Sequence, residues 1–198
     1  KLRLQREARE RTQLAVLDMS IKWLQYAAQP QAAAFAKWTL FLSDVYVVGI
    51  QKVKNAALVW SHFDILGRHA FDTAPALAKA VSRSPAMVAY LDLNQSKRDA
   101  PNENFARELF ELFLLGEGNY TENDIKEAAR AFTGYRQQLG TFRFAPRQHD
   151  DSSKTIFGHS GYFNGDDVID LAFRLPAAGS FLPHELGLFY LSEQALPP

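Results

Sequence analysis

The strongest constraint in this sequence is a spacing. Apolar side chains recur at steps of three and four along most of the chain, as on one face of an α-helix. Leu14, Leu17, Ile21, Leu24 and Ala28 form the first stripe, and Phe35, Trp38, Leu42 and Val45 the second. Stop signals divide the pattern into helices. Pro30 separates the first two. A third helix is expected from about Gln51 to Leu66, with Gly67 as its C-cap. Asp72 reads as the N-cap of a helix through Val81. Ser84-Pro85 starts a short one to about Leu91, with Pro at the first helical position. A polar loop, Asn94 to Pro101, follows.

Asn102 can cap the next helix, whose interior is Phe105, Leu109, Leu112 and Phe113. Gly116-Glu117-Gly118-Asn119 breaks it. Thr121 opens another, with Glu122 and Asp124 in its first turn to complement the helix dipole, and Gly134 ends it. Only here does the period change. Thr141 to Ala145 alternates, and Lys154 to Phe157 is expected to pair with it as a hairpin. Helices return at Asp166 to Leu175 and at about Ser180 to Ser192, the latter with Pro183 in its first turn. The expected fold is mainly α, an irregular multi-helical domain with a small β-hairpin near residues 141–157.

Composition fits this outline. With 198 residues and 47% hydrophobic content, the chain can bury a core without staples. It opens on Lys1 and stops at Pro198, so residues 1–198 read as one domain, a piece of a longer protein. There is no Cys, which rules out disulfides, thiol catalysis and thiolate zinc sites. The longest apolar run, Trp38 to Ile50, is broken by Ser43 and Asp44 and falls short of the ~20 residues of a membrane helix. The 22 basic and 22 acidic residues cancel, although the basic ones concentrate towards the N-terminus. Lys1, Arg3, Arg6, Arg9 and Arg11 alternate with Glu7 and Glu10, the pattern of a solvated helix face. Without interleaved aromatics or a reader motif, it argues against nucleic-acid binding.

Three regions carry polar side chains denser than packing needs. On the helix after Asn102, Glu103 and Arg107 are four apart, as are Arg107 and Glu111, while Glu108 and Glu111 are three apart. One reading is a carboxylate cluster that supplies a metal ligand or a general base. The other is an ion-pair network that ties the helix to its neighbours through Arg107 and Arg130. Asn102 and Asn104 could orient a ligand or cap the helix. His149-Asp150 in the hairpin loop could hold a metal or form an acid–base pair, yet adjacent turn residues usually point apart. The candidate catalytic residues are therefore Glu108, His149 and Asp150. The candidate ligand-binding residues are Asn102, Glu103, Asn104, Arg107, Glu111 and Arg130. A divalent metal is the cofactor such a set could take, and no metal is assigned. His62 and His69 lie seven apart with Gly67 between them, which disfavours a shared site. Gly116-Glu117-Gly118 lacks the Lys and Ser/Thr of a phosphate loop, and Asn164-Gly165-Asp166-Asp167 lacks the ligand run of a calcium loop.

The run Pro101-Asn102-Glu103-Asn104-Phe105-Ala106-Arg107-Glu108-Leu109 continues into Leu115-Gly116-Glu117-Gly118-Asn119-Tyr120-Thr121-Glu122. Glu127-Ala128-Ala129-Arg130-Ala131-Phe132-Thr133-Gly134, His149-Asp150, Lys154-Thr155 and Gly158 follow. Together these resemble a bacterial family catalogued as domain of unknown function 1800, over about Phe35 to Leu191. The resemblance implies an exported protein, periplasmic or secreted. It also implies a protein partner, such as a neighbouring sulfatase-like envelope protein. It implies no established reaction. The family's Trp-His-x-His-Phe motif aligns with Phe41 to Tyr46, where Ser43 and Val45 replace the two histidines. The combined expectation is a non-catalytic binding or scaffold module, with a metal-assisted hydrolase using the carboxylate and His cluster as the alternative.

Overall fold

The computed structural model describes residues 2–191. The ten helices among these residues are α1 (Leu2–Ala27), α2 (Ala33–Val45), α3 (Ile50–Val53), α4 (Ala56–Arg68), α5 (Ala74–Ser82), α6 (Pro85–Tyr90), α7 (Glu103–Glu108), α8 (Glu122–Ala131), α9 (Gly165–Ala172) and α10 (Pro176–Tyr190). Two antiparallel hairpins interrupt them: β1 (Tyr135–Gln138) with β2 (Thr141–Phe144), and β3 (Lys154–Ile156) with β4 (His159–Gly161). The protein is mainly α, and no helix among the described residues is long and apolar enough to cross a membrane.

Side-chain caps set four of the helix starts. The Asn102 side chain accepts from the Asn104 N–H, and that of Asn55 accepts from the Leu58 N–H. Thr121 and Asp124 form a reciprocal capping box on α8, and Asn164 and Asp167 form one on α9. Asp167 is thus occupied with capping a helix. The cap of α5 is Thr73, one residue after the expected Asp72, whose carboxylate instead bonds His69 Nδ1 at 2.7 Å.

Several expectations are corrected. The third helix is two, because Lys54 adopts a left-handed conformation and Asn55 caps a new start. Gly67 lies inside α4, where a Cβ would meet the Phe35 ring at 3.5 Å. α10 begins at Pro176, so Pro183 sits in its interior and removes one helical donor. The expected end of that helix at Ser192 lies outside the described residues. The two strands expected to pair with each other each pair with a nearer one. Leu139-Gly140 and Phe157-Gly158 both have positive φ, as a two-residue type I′ turn requires, and each closes a hairpin locally. Local closure orders far less chain than joining residue 141 to residue 157.

α7 continues as a π-helical stretch, Leu109–Leu114, with the N–H groups of Leu115 and Gly116 both reaching the Phe110 carbonyl. The wider turn shifts the phase of the face. Leu109, Phe110, Phe113 and Leu114 go inward, and Leu112, expected in the core, is exposed. Around this stretch the core assembles Met87 and Val88 of α6, Phe105 and Ala106 of α7, Ile125 and Ala128 of α8, Ile156 of β3 and Val168 of α9. Phe105 meets Phe132 edge-on at 4.8 Å, and Phe110 meets Phe157 at 5.1 Å.

His62 ties three helices together from inside. Its Nε2 lies 2.7 Å from the Tyr46 carbonyl, which can only accept, so Nε2 carries the hydrogen. Nδ1 therefore accepts from the Ser84 hydroxyl at 2.8 Å. Both side chains are buried, and burial lowers the His62 pKa to about 4 from 6.5. His62 and His69 thus serve different partners. Because the folded pKa lies below the unfolded one, the unfolded chain takes up the proton first. The stability held by neutral His62 is complete above about pH 6.5 and falls as pH drops towards 4, by roughly 3 kcal/mol in all. Chemical denaturation from pH 7.5 to pH 4 should show this decline, and NMR should find the His62 ring neutral at pH 5 in the folded protein.

Candidate functional site

The candidate residues separate into two neighbourhoods, each centred on an arginine. The first joins α7 to the start of α8. Arg107 forms a forked pair with Glu122, both N–O distances being 2.8 Å, and lies 3.8 Å from Glu103. The paired carboxylate raises the guanidinium pKa, and the guanidinium lowers that of Glu122. Glu111 accepts from the Tyr120 hydroxyl at 3.0 Å. Burial, then that carboxylate, pushes the phenol up to about 12. Asn102 is a cap and a tie: its amide donates to the Asp92 carbonyl, and its backbone N–H donates to Ser96 Oγ. Asn104 is exposed. Glu108 is half-buried, and among the described residues its carboxylate has no hydrogen bond or ion pair.

The second neighbourhood is tighter. Arg130 in the last turn of α8 engages partners with all three nitrogens. Nη1 meets both oxygens of Glu127 at 2.7 Å, and Nε meets Asp150 Oδ2 at 2.7 Å. Nη2 bonds the Ser152 hydroxyl and the Ser153 carbonyl. Asp150 is buried. Its second oxygen accepts from the Ser152 N–H and hydroxyl, and its own N–H donates to Thr133 Oγ1 at 2.8 Å. Burial alone would raise the Asp150 pKa. The bonds from Arg130 and Ser152 outweigh it and hold the carboxyl well below the usual range. Lys154, at 1% exposure, donates to the carbonyls of Asp150 and Ser152 at 2.6 and 2.8 Å, and burial lowers its pKa.

His149 faces away from its neighbour. Nδ1 lies 2.9 Å from the Thr133 carbonyl and so carries the hydrogen, and the ring packs edge-on to Phe144 at 5.3 Å. Its backbone carbonyl accepts from Arg98. Gly134 permits this approach: at φ 82° a Cβ would lie 2.8 Å from the Ala145 carbonyl oxygen and 3.3 Å from His149 Cβ. The structure thus brings Arg130 to Asp150 and Arg107 to Glu103, and it leaves Glu108 apart. The His149 and Asp150 side chains do not bond each other: the imidazole turns to the Thr133 carbonyl and the carboxylate to Arg130 and Ser152. Among the described residues, no three His, Asp or Glu side chains converge to hold a metal.

Sequence reasoning missed the residues that complete these networks. Arg136 donates to the carbonyls of Leu93, Ser96 and Tyr135, each at 2.8 Å, and to the Gln148 side chain. Glu127 accepts the Thr155 N–H at 2.9 Å, and Asp124 accepts the Phe157 N–H at 2.7 Å. The spacing of Glu127 to Arg130 was a visible signal. The Leu93 and Ser96 carbonyls served by Arg136 were not, because they lie 43 and 40 residues away.

Two open cavities lie elsewhere. A groove of about 810 Å³ runs between α1 and α3, and one of about 490 Å³ lies beneath Trp23, Trp60 and Phe63. Neither includes a residue of the two arginine neighbourhoods.

Over residues 2–198 the chain matches the family model described as protein of unknown function (DUF1800), and it belongs to that family. No curated protein and no solved structure matches it.

Removing the guanidinium of Arg130 takes the ion-pair partner from both Asp150 and Glu127. Arg130→Met should destabilise the protein by about 3 kcal/mol in urea denaturation. It should also speed amide exchange at Thr155 and Phe157. Glu108→Gln should change stability by less than about 0.5 kcal/mol.

Proposed function

We propose that this family member is a non-catalytic binding or scaffold module of a bacterial cell-envelope or secreted protein. The observation that carries this reading is how the polar motif is used. Arg107, Arg130, Asp150, Glu111 and Asn102 spend their hydrogen-bonding capacity on the protein's own loops, strand edges and helix ends. A site that turns over a substrate keeps acids, bases or ligands free to engage it. The polar motif instead makes an irregular backbone rigid. The resemblance of the sequence to an exported family supports the envelope location, and it points to a sulfatase-like envelope protein as the partner class.

The competing reading is a metal-assisted hydrolase. Two observations favour it: the Glu108 carboxylate has no partner among the described residues, and His149 Nε2 keeps its lone pair in the neutral ring. The two readings separate cleanly. In the scaffold reading, calorimetric titration with Zn²⁺ or Mn²⁺ gives the same weak response for the wild type, Glu108→Gln and His149→Ala. Hydrolysis of ester and phosphoester probes stays at the buffer rate. A stoichiometric metal site, or hydrolysis abolished by either variant, would overturn it. Fractionation of the native host should find the protein in the envelope or the medium, and a cytoplasmic pool would count against the location.

A further inference from the structure

Where α1 lies against α2 and α4, the helices leave an open cavity of about 490 Å³, within the size range of small-molecule sites. Its lining is unlike that of the core. Trp23 and Tyr26 of α1, Phe35 of α2 and Trp60 and Phe63 of α4 line it, and no Leu, Ile, Val or Met among the described residues does. The core is rich in Leu, Val, Ile and Ala, and the groove between α1 and α3 is floored by Val16, Leu17 and Ile50. The rings are held in place before any ligand arrives. Phe63 stacks on Trp60 with centroids 5.9 Å apart and planes 18° from parallel, and it takes the edge of Trp23 at 5.6 Å.

The polar groups of the cavity are unspent. Tyr26 and Trp60 are 43% and 42% exposed. Among the described residues, neither the Tyr26 hydroxyl nor the indole N–H of Trp23 or Trp60 has a hydrogen-bond partner, whereas the Trp38 indole, outside the cavity, donates to the Ala70 carbonyl at 2.7 Å. Charges at the mouth cancel. Lys22 pairs with Asp18 at 2.7 Å, and Arg68 Nε with Asp64 Oδ2 at 2.8 Å. Asp64 Oδ1 and both Nη groups of Arg68 have no partner among the described residues.

This lining selects a ligand class. An acyl chain would leave three aromatic donors and the Asp64–Arg68 pair without partners. A quaternary ammonium would gain from the rings but would lie beside Lys22 and Arg68. A pyranose ring uses the whole set. Its axial C–H groups carry slight positive charge and lie on the negative faces of aromatic rings. Its hydroxyls accept from the indole and phenol groups, donate to a carboxylate and accept from a guanidinium. We propose that this cavity binds a neutral oligosaccharide, with Trp60 and Tyr26 as stacking platforms and the Asp64–Arg68 pair holding hydroxyl groups. The site shares no residue with the two arginine neighbourhoods, so it gives the module a ligand without drawing on the polar motif.

Cellotriose, maltotriose and triacetylchitotriose, each titrated to about 10 mM, should include at least one that gives a saturable, one-to-one change in indole fluorescence. Trp38→Phe should keep that change, because Trp38 is not in the cavity. In calorimetric titration with the same sugar, Trp60→Ala and Tyr26→Ala should each weaken binding by about 10-fold or more, and Trp60→Phe, which keeps a ring, by less. Tyr26 is exposed and unbonded, so Tyr26→Ala should leave the melting temperature nearly unchanged, and its loss of binding cannot be a loss of fold. No response to any of the three sugars overturns the proposal. So does binding that survives Trp60→Ala and Tyr26→Ala combined. A cavity that takes choline or anilinonaphthalene sulfonate, with no displacement by sugar, overturns it as well, by giving the rings a cationic or an apolar ligand.

Discussion

The fold turns on one guanidinium. Arg130 stands at the end of α8, where the chain leaves regular structure for two short hairpins and a loop. Neither hairpin has enough strands to hold itself together in water. Arg130 fastens the loop by gripping Asp150, Ser152 and Ser153, and it is held in turn by Glu127 one turn back. Lys154 then seals the same loop from the buried side through two carbonyls. The buried Lys154 ammonium is tolerated there because two carbonyls accept from it and the Asp150 carboxylate lies close by.

The acidic residues of α8 answer a related need. A short hairpin leaves backbone donors on its outer edge and in its turn that its own two strands do not pair. Asp124 and Glu127 reach across to the N–H groups of Phe157 and Thr155, so a helix side supplies what a third strand would otherwise provide. Arg136 does the converse for carbonyls in the loop before α7. The density of polar residues in the motif reflects how much irregular backbone lies beside the core. In three dimensions Asp124, Glu127 and Arg130 each reach backbone groups of the loop and hairpin that follow.

The N-terminal helix obeys a different rule. Its inner face packs Trp23 on Phe63, while Leu14, Leu17, Ile21 and Leu24 repeat the same apolar spacing on an exposed face.

Much of this was legible in the residues themselves. The steps of three and four identified the helices, and Asn102 and Thr121 marked helix starts where the structure has them. Such signals act within one turn of chain, so sequence contains both partners. The same stripe at Leu14 to Leu24 declared a helix correctly but not which way it would face, since periodicity is blind to the direction of the core. The change of phase at Leu109–Leu114 was hidden because apolar residues run through it without a break, so a π-turn and an α-turn fit the same sequence. The joining of Arg130 to Asp150, 20 residues on, and the divergence of His149 from Asp150 came from the path of the loop. The residues alone determined that this chain would be helical and where most helices begin, because those choices are settled by neighbours within a few positions. Only the tertiary structure decided that the carboxylates would brace rather than converge, because that depends on which distant donors the folded backbone leaves unpaired.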